Sequence, residues 1–211
     1  MPSRALRILV IDVDPSAHET LAVSLGAVPG RAFDVAGVTS ADQALVALRS
    51  EAHDLALLSD PLGHDTAVDF LIKLRSGACS IPVIAISASG GESRAVGLFR
   101  AGADDYLRRD ELSPLTLAAA LERLGPRLER GRSTRREATK FRDGLAELTP
   151  REREVMHMVV DGLTTRQIAL KLKRSEATIK IHRSHVMRKI GANTPADLAR
   201  LVLTHDEVAR R

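Results

Sequence analysis

The sequence lacks the features that mark secreted and membrane proteins. Its 211 residues include a single cysteine, Cys79, so no disulfide bond can form within the chain. No apolar run approaches the roughly 18 residues that a helix needs to cross a bilayer. The N-terminal stretch MPSRALRILVIDVD is too short in its apolar part for a signal peptide and runs straight into acidic residues. We therefore expect a cytoplasmic protein that does not associate with membranes.

Charge is divided unevenly along the chain. Residues 1–125 carry 11 Lys and Arg against 16 Asp and Glu, a net charge of −5. Residues 126–211 carry 20 against 11, a net charge of +9. This asymmetry predicts that only the back half meets a polyanion. The alternative at this level is that the basic charge only keeps the back half soluble.

The front half alternates short apolar runs with helical patterns. The runs predict parallel strands, buried on both faces, over Arg7–Ile11, Phe33–Val38, Leu55–Leu58, Pro82–Ile86 and Asp105–Leu107. The intervening patterns predict helices over Pro15–Leu25, Ala41–Leu48, Ala67–Leu74, Ser93–Ala101 and Pro114–Leu124. Five strand–helix units predict an α/β doubly wound, five-stranded parallel sheet over residues 1–124. Polar residues after the strands, at Asp12, Asp14, Ser59 and Ser87, are expected to gather at the carboxyl edge of this sheet.

Residues 125–147 are expected to form a linker, part of which extends the fifth helix. Gly125-Pro126 and Gly131 are expected to interrupt a helix there. Residues 148–211 predict a small all-helical domain that is well marked by capping signals. Thr149 and Glu152 fit one capping box, and Thr164 and Gln167 fit a second.

A short helix, a tight turn and a longer basic helix follow one another in the back domain, which is the helix-turn-helix arrangement. On a helical wheel, Ile179, Val186 and Ile190 form the inner seam of the longer helix. The opposite face carries Ile181, Ser184 and Arg188, flanked by Lys180, a mixture that suits the major groove of DNA. Further basic residues are placed for phosphate contacts, namely Lys173, Arg174, Arg183, Arg188 and Lys189.

Residues 148–201, including LTPRERE, GLTTRQIA and ATIKIHRSHVMRKIG, resemble the DNA-binding domain of LuxR/FixJ/NarL-type transcription regulators. The resemblance places Lys180, Ile181 and Ser184 at base-contacting positions, and Thr178 and Arg188 at backbone-contacting positions. It also implies a pair between Glu152 and Lys189 inside the bundle. Leu198, Leu201 and Val202 of the last helix would dimerise on DNA. The alternative is that these three residues are core.

Residues 6–124 resemble the receiver domain of response regulators, most clearly in AISAS and AGADDYLRRDELSP. A receiver takes a phosphoryl group on an aspartate at the end of the third strand, with Mg²⁺ held by acidic residues. Ser59 stands at that acceptor position, Val13 at a metal-ligand position and Arg109 in place of a lysine. Ser87 and Tyr106 match the family's hydroxyl and aromatic residues.

The changes at the nucleophile, metal and cation positions together predict a pseudo-receiver with no metal and no cofactor. No base is evident beside Ser59. The rival interpretation uses Asp60, which a one-residue slip would bring to the acceptor position. In that case Asp12, Asp14 and Asp60 would hold Mg²⁺ and a phosphorylation-dependent regulator would result.

The sequence thus predicts a non-enzymatic, DNA-binding transcription regulator that acts as a homodimer and whose front domain sets dimer state or docks a partner. Double-stranded DNA and a second copy of the chain are the expected partners, with a sensor kinase or another signalling protein upstream. The rival from a different class is a signalling interaction protein for which DNA contact is secondary.

Overall fold

The computed structural model describes residues 5–50, 52–63, 66–77, 79–88 and 91–209. The chain forms two compact units that divide between Ser133 and Thr134. No helix among the described residues is long and apolar enough to cross a lipid bilayer.

The first unit is built on a five-stranded parallel sheet of order β2-β1-β3-β4-β5. Its strands are β1 (Leu6–Ile11), β2 (Phe33–Val38), β3 (Leu55–Asp60), β4 (Val83–Ser87) and β5 (Asp105–Arg108). Its helices are α1 (Pro15–Gly26), α2 (Ala41–Arg49), α3 (Ala67–Ser76), α4 (Glu92–Ala101) and α5 (Pro114–Arg123). The predicted fold class is therefore confirmed, with each predicted strand and helix present.

Alternate residues of each inner strand pack into different cores, because successive side chains of a strand point to opposite faces. Leu9, Ala56 and Ala85 belong to the core that also includes α2, α3 and α4. Their neighbours, such as Val10 and Leu57, belong to the core that includes α1 and α5. This alternation decides where the polar residues at the carboxyl edge point.

The third strand is longer than predicted. It continues from Leu58 through Ser59 and Asp60, and all its residues are buried. Asp60 stays in register with Ser87 of β4, and the amide of Ala88 donates to the carbonyl oxygen of Asp60. Ser59 and Asp60 are therefore strand residues with opposite orientations, whereas the sequence pattern placed them beyond the end of the strand.

The segment predicted as a linker is helical. Helix α6 (Gly125–Ala146) runs through Pro126 and Gly131, so the expected interruptions are wrong. Pro126 is tolerated because a proline in the first helical turn removes no hydrogen bond. Leu128 is buried in the α1–α5 core of the first unit, and Phe141 is buried in the core of the second unit.

The second unit contains four further helices around one core: α7 (Pro150–Val160), α8 (Thr165–Leu172), α9 (Glu176–Ile190) and α10 (Pro195–Ala209). Both predicted capping boxes are present, with Thr149 and Thr164 accepting from the third residue of their helices. Ser175 caps α9, and Gly191 ends it in the left-handed conformation with φ of 77°. Caps of this kind satisfy the amide and carbonyl groups at helix ends, which lets the helices follow one another closely.

Candidate functional site: the carboxyl edge of the sheet and the exposed face of α9

At the carboxyl edge of the sheet, Ser59 lies in a closed hydrogen-bonded cluster with Asp12 and Arg109. The Ser59 hydroxyl donates to Oδ2 of Asp12. Nη2 of Arg109 lies 2.7 Å from the same carboxylate oxygen and 2.7 Å from Oγ of Ser59. Asp12 and Ser59 are 4% and 2% exposed, so the two polar groups are buried against each other. The strand alternation explains the meeting, because both side chains lie on the face that α1 and α5 cover.

The Asp12 carboxylate is held in its charged form. Burial alone would raise its pKa, but hydrogen bonds from the Ser59 hydroxyl, the Asp14 amide and Arg109 outweigh burial and lower the pKa below its usual 3.8. The expectation that Ser59 has no base beside it is wrong, since the Asp12 carboxylate accepts a hydrogen bond from its hydroxyl. A carboxylate with a lowered pKa is nevertheless a weak base, and Arg109 competes for the serine oxygen.

The next two residues after Asp12 are turned away from the cluster. Asp14 is exposed and caps α1, accepting from the amide of Ser16 at 2.9 Å and from its hydroxyl at 2.7 Å. The Ser16 hydroxyl hydrogen bond lowers the pKa of Asp14. Val13 is 46% exposed and supplies no oxygen.

Asp60 lies on the other face of the sheet and is fully engaged there. Nε of Arg94 donates to Oδ2 of Asp60 at 2.6 Å, and Nη2 of Arg94 donates to Oδ1. The Ser87 hydroxyl donates to Oδ2 at 3.2 Å. Tyr106 is half-buried and packs against the core on this same face. The slip that would bring Asp60 beside Asp12 is absent, because a one-residue slip would reverse every side chain of the strand.

The predicted pocket thus separates into two clusters, Asp12–Ser59–Arg109 and Asp60–Ser87–Arg94. Arg94 was missed by the sequence analysis, because nothing in the helical pattern of α4 distinguishes it from a solvated arginine. Two observations together could have identified it. Asp60 is an even-numbered residue of β3, like Ala56 and Leu58, so its side chain points to the face that α4 covers, and Arg94 lies in the first turn of α4.

The arrangement does not fit Mg²⁺, which prefers an octahedral set of oxygen ligands. Oδ2 of Asp12 faces the Arg109 cation, Asp14 caps a helix and Asp60 is paired with Arg94 on the opposite face. Among the residues that the structure describes, no group of three or more acidic, histidine or cysteine side chains is arranged to hold a metal ion.

In the second unit, α9 presents the face that the helical wheel predicted. Ile179, Val186 and Ile190 are at most 1% exposed and form its inner seam. The outer face contains the exposed side chains of Lys180, Ile181, Ser184 and Arg188. Ile181 is 56% exposed. Thr178 is half-buried, and its hydroxyl lies 2.8 Å from that of Ser175.

A basic groove lies beside the start of α9. It is lined by Arg151, Leu172, Lys173, Arg174, Thr178 and His182. Nη2 of Arg151 donates to the carbonyl oxygen of Leu172 at 3.1 Å, which fixes this α7 side chain near the end of α8. Arg151 and His182 were missed by the sequence analysis, since Arg151 is distant along the chain from the helix-turn-helix.

Two of the arginines and lysines predicted for phosphate contacts have internal partners. Lys189 donates to the Glu152 carboxylate at 2.7 Å and to the carbonyl oxygen of Glu147 at 3.0 Å. Arg183 lies 3.4 Å from the carbonyl oxygen of Leu163. The assignment of Lys189 to phosphate is therefore wrong, because its ammonium group donates to Glu152 and Glu147 within the bundle.

The pair between Glu152 and Lys189, which the resemblance implied, is confirmed. Glu152 is 4% exposed and also accepts from the amide of Thr149 at 2.9 Å. Nδ1 of His185 lies 3.3 Å from its other oxygen. The hydrogen bonds from Lys189 and then from Thr149 lower the pKa of Glu152 from 4.5 to about 2. The pair ties the first turn of α7 to the last turn of α9.

The last helix turns its predicted dimerisation residues inward. Leu198, Leu201 and Val202 are 0%, 4% and 6% exposed and pack in the core of the second unit. Assigning these side chains to a dimer surface is therefore wrong, and the alternative, that they are core, is what the structure shows. Their i, i+3, i+4 spacing places them on one face of α10, which packs against α7 and α9.

Comparison with known proteins agrees with this architecture. Residues 8–122 match the family model of the response regulator receiver domain, and residues 146–202 match that of the bacterial regulatory proteins of the luxR family. The chain is also similar to the solved structure of the response regulator StyR, with 27% identity and a TM-score of 0.58. That match covers 95% of this chain and 100% of StyR.

Curated relatives match over both units. The nitrate/nitrite response regulator protein NarL of Escherichia coli is 29% identical over 211 residues, covering 95% of each chain. The transcriptional regulatory protein FixJ of Rhizobium meliloti is 30% identical over 162 residues, covering 76% of this chain and 79% of FixJ. The chain therefore belongs to the response regulators that join a receiver domain to a LuxR-type DNA-binding domain.

Proposed function

We propose that this response regulator is a sequence-specific transcription regulator whose receiver domain works without phosphorylation of an aspartate. In this proposal residues 1–124 act as the receiver domain and residues 148–211 as the DNA-binding domain. The protein acts in the cytoplasm, binds double-stranded DNA as a homodimer and has no enzymatic activity of its own. The receiver domain sets dimer state or docks a sensor kinase or another signalling protein.

The exposed face of α9 supports the DNA-binding part of the proposal. Lys180, Ile181 and Ser184 are the base-reading residues, since an ammonium group, a methyl-contacting aliphatic chain and a hydroxyl match groups on the major-groove edges of bases. Thr178 and Arg188 contact the phosphate backbone. The exposure of Ile181 favours a reader of bases over a helix that is merely solvated.

The closed cluster of Asp12, Ser59 and Arg109 is the observation that carries the phosphorylation-independent part. The acceptor position holds a hydroxyl, and the neighbouring Asp12 carboxylate is neutralised by the guanidinium group of Arg109, which also donates to the Ser59 oxygen. An arginine also fills more space than the lysine of ordinary receivers and keeps its charge on a planar fork. The pairing of Asp60 with Arg94 supports the same conclusion, because this carboxylate is bound by a guanidinium group and is not free to accept a phosphoryl group.

Mass measurement on the intact protein tests the proposal. The purified full-length protein is incubated with Mg²⁺ and a small acyl phosphate and compared with the untreated protein. We expect no adduct of about 80 Da, the mass of one phosphoryl group. An ordinary receiver domain treated in parallel controls for the activity of the donor. A phosphoryl adduct that disappears in an Asp60→Asn variant would support the rival mechanism through Asp60.

DNA binding is measured on the same untreated protein. Selection from random duplex pools is expected to return a defined sequence with twofold symmetry, bound by a dimer. Binding without sequence preference at moderate salt would instead favour the signalling interaction protein, for which DNA contact is secondary.

A further inference from the structure

The ion pair between Asp60 and Arg94 joins a strand and a helix at the carboxyl edge of the sheet. Asp60 is the last residue of β3, and Arg94 lies in the first turn of α4. The carboxylate is 3% exposed, whereas the Arg94 side chain is 35% exposed, so the anion is the buried partner. The pair is therefore a polar link between the end of the strand and the first turn of the helix.

The groups around the Asp60 carboxylate form a site for an oxyanion. Arg94 presents two parallel N–H donors to both oxygens, the geometry with which guanidinium groups bind carboxylates and phosphates. Ser87 adds a hydroxyl donor at 3.2 Å to one of these oxygens. Asp60 raises the pKa of Arg94 through its hydrogen bond, so the guanidinium remains charged. These donors bind negative oxygen whatever molecule carries it.

We propose that Arg94 and Ser87 form an oxyanion site at the start of α4 and that the chain fills this site with its own carboxylate, Asp60. Asp60 then takes the place of an added anion and holds the first turn of α4 against the end of β3. The position of α4 is thereby set when the protein folds. The inference rests on the proposed function, in that it explains how a receiver domain with Ser59 at the acceptor position retains a defined α4 without a phosphoryl group.

Removal of the Asp60 carboxylate should open the site to a small anion from solution. In an Asp60→Ala variant the carboxylate is missing but the strand keeps a Cβ, so the vacated space has the size of formate. Arg94 would be left without its partner, and the first turn of α4 would lose its attachment to the strand. Formate should bind between Arg94 and Ser87 and restore that attachment.

Hydrogen exchange of the full-length protein measures the attachment. We expect amides of residues 92–101 to exchange at least about tenfold faster in Asp60→Ala, since a buried charged pair that loses one partner is strongly destabilised. Sodium formate should restore slow exchange, and sodium chloride at the same ionic strength should not. Arg94→Gln should accelerate exchange equally and should not respond to formate, because the donors are missing. Arg100→Gln, at an exposed position in the last turn of the same helix, should leave exchange unchanged.

The possible results separate the inference from the proposed function. Unchanged exchange in both Asp60→Ala and Arg94→Gln would overturn the inference, as would equal rescue by formate and chloride. If Asp60→Ala does not fold, Arg94→Gln alone decides, since unaltered exchange in α4 contradicts the attachment. A phosphoryl adduct on the wild-type protein would refute the proposed function, yet it would leave the formate rescue of α4 as a separate measurement of the site.

Discussion

Alanine substitutions at two glycines of α6 should change stability in opposite directions. At Gly144 a methyl carbon would lie 2.2 Å from the carbonyl oxygen of Lys189 and 3.0 Å from Cα of Ile190, both of them backbone atoms of α9. At Gly131 a methyl carbon would meet no atom within 4 Å. Since both glycines lie within the same helix, the two variants differ in their surroundings and share the gain in helix propensity.

The magnitude follows from these distances. Carbon atoms pack best at separations near 3.5–4.0 Å, so Gly144→Ala must push α6 and α9 apart by more than about 1 Å. Overpacking of this kind costs about 1–3 kcal/mol, and the propensity gain of about 1 kcal/mol offsets part of it. We expect Gly144→Ala to lower the free energy of unfolding by up to about 2 kcal/mol, and Gly131→Ala to raise it by about 0.5–1 kcal/mol.

Urea unfolding of the full-length protein, followed by circular dichroism at the helical band, measures both changes. Peptide-resolved hydrogen exchange assigns them, because the loss in Gly144→Ala should appear in α9 and α7, whereas the gain in Gly131→Ala should stay within the first half of α6. Equal stabilisation by both substitutions would refute the close contact between α6 and α9.

Three further predictions concern the second unit. Glu152→Gln should cost about 2 kcal/mol at pH 7, less than the full pKa shift implies, because solvent reaches Lys189 and screens the pair. The depressed pKa of Glu152 means that this stability is present above pH 4.5 and is lost as the pH falls towards 2. As the pH falls from 4.5 towards 2, the free energy of unfolding should therefore decrease more in the wild type than in Glu152→Gln. Equal decreases in the two proteins would contradict the pairing. Lys180→Ala should cost about 1–3 kcal/mol of specific binding and relax the base preference in duplex selection. If Lys180 contacts only phosphate, binding should instead weaken uniformly across sequences, and the salt slope should fall by about 0.9. Leu198→Ala should lower the free energy of unfolding by about 2–5 kcal/mol, while Leu203→Ala, at a position 71% exposed, should stay within about 0.5 kcal/mol of the wild type; similar losses at the two positions in urea unfolding would contradict the inward face of α10.

The elements of the fold were predictable because their signals are local. Each strand of the first unit is a short run of apolar residues, and each helix of the second unit begins with a hydroxyl residue that caps it. The inner seam and the exposed face of α9 followed from the helical period alone. Helix α6 was predicted only in part, as an extension of the fifth helix. Its glycines and proline weaken a helix locally, whereas burial of Leu128 and Phe141, each in a different core, supports it.

The sequence predicted which residues lie at the carboxyl edge of the sheet, but it did not predict which of their side chains bind each other. The pattern placed Asp12, Ser59, Asp60 and Ser87 at one edge of the sheet, and the structure has them there. It could not decide that Asp60 belongs with Arg94, since an ion pair between residues 34 positions apart depends on where α4 packs. The same holds for Leu198, whose spacing fits a core and a dimer surface equally well.

The sequence by itself determined the order of the strands and helices, the charge difference between the two halves and the presence of a serine at position 59. These properties follow from residue identity and from periods of two and 3.6 residues, which the backbone enforces locally. Only the tertiary structure decided that neighbouring residues Ser59 and Asp60 face different cores, because that depends on strand register and on which helices cover each face of the sheet. Arg109 and Arg94 come from distant parts of the chain. Packing alone brings Arg109 to the Asp12 carboxylate beside Ser59, and Arg94 to the Asp60 carboxylate.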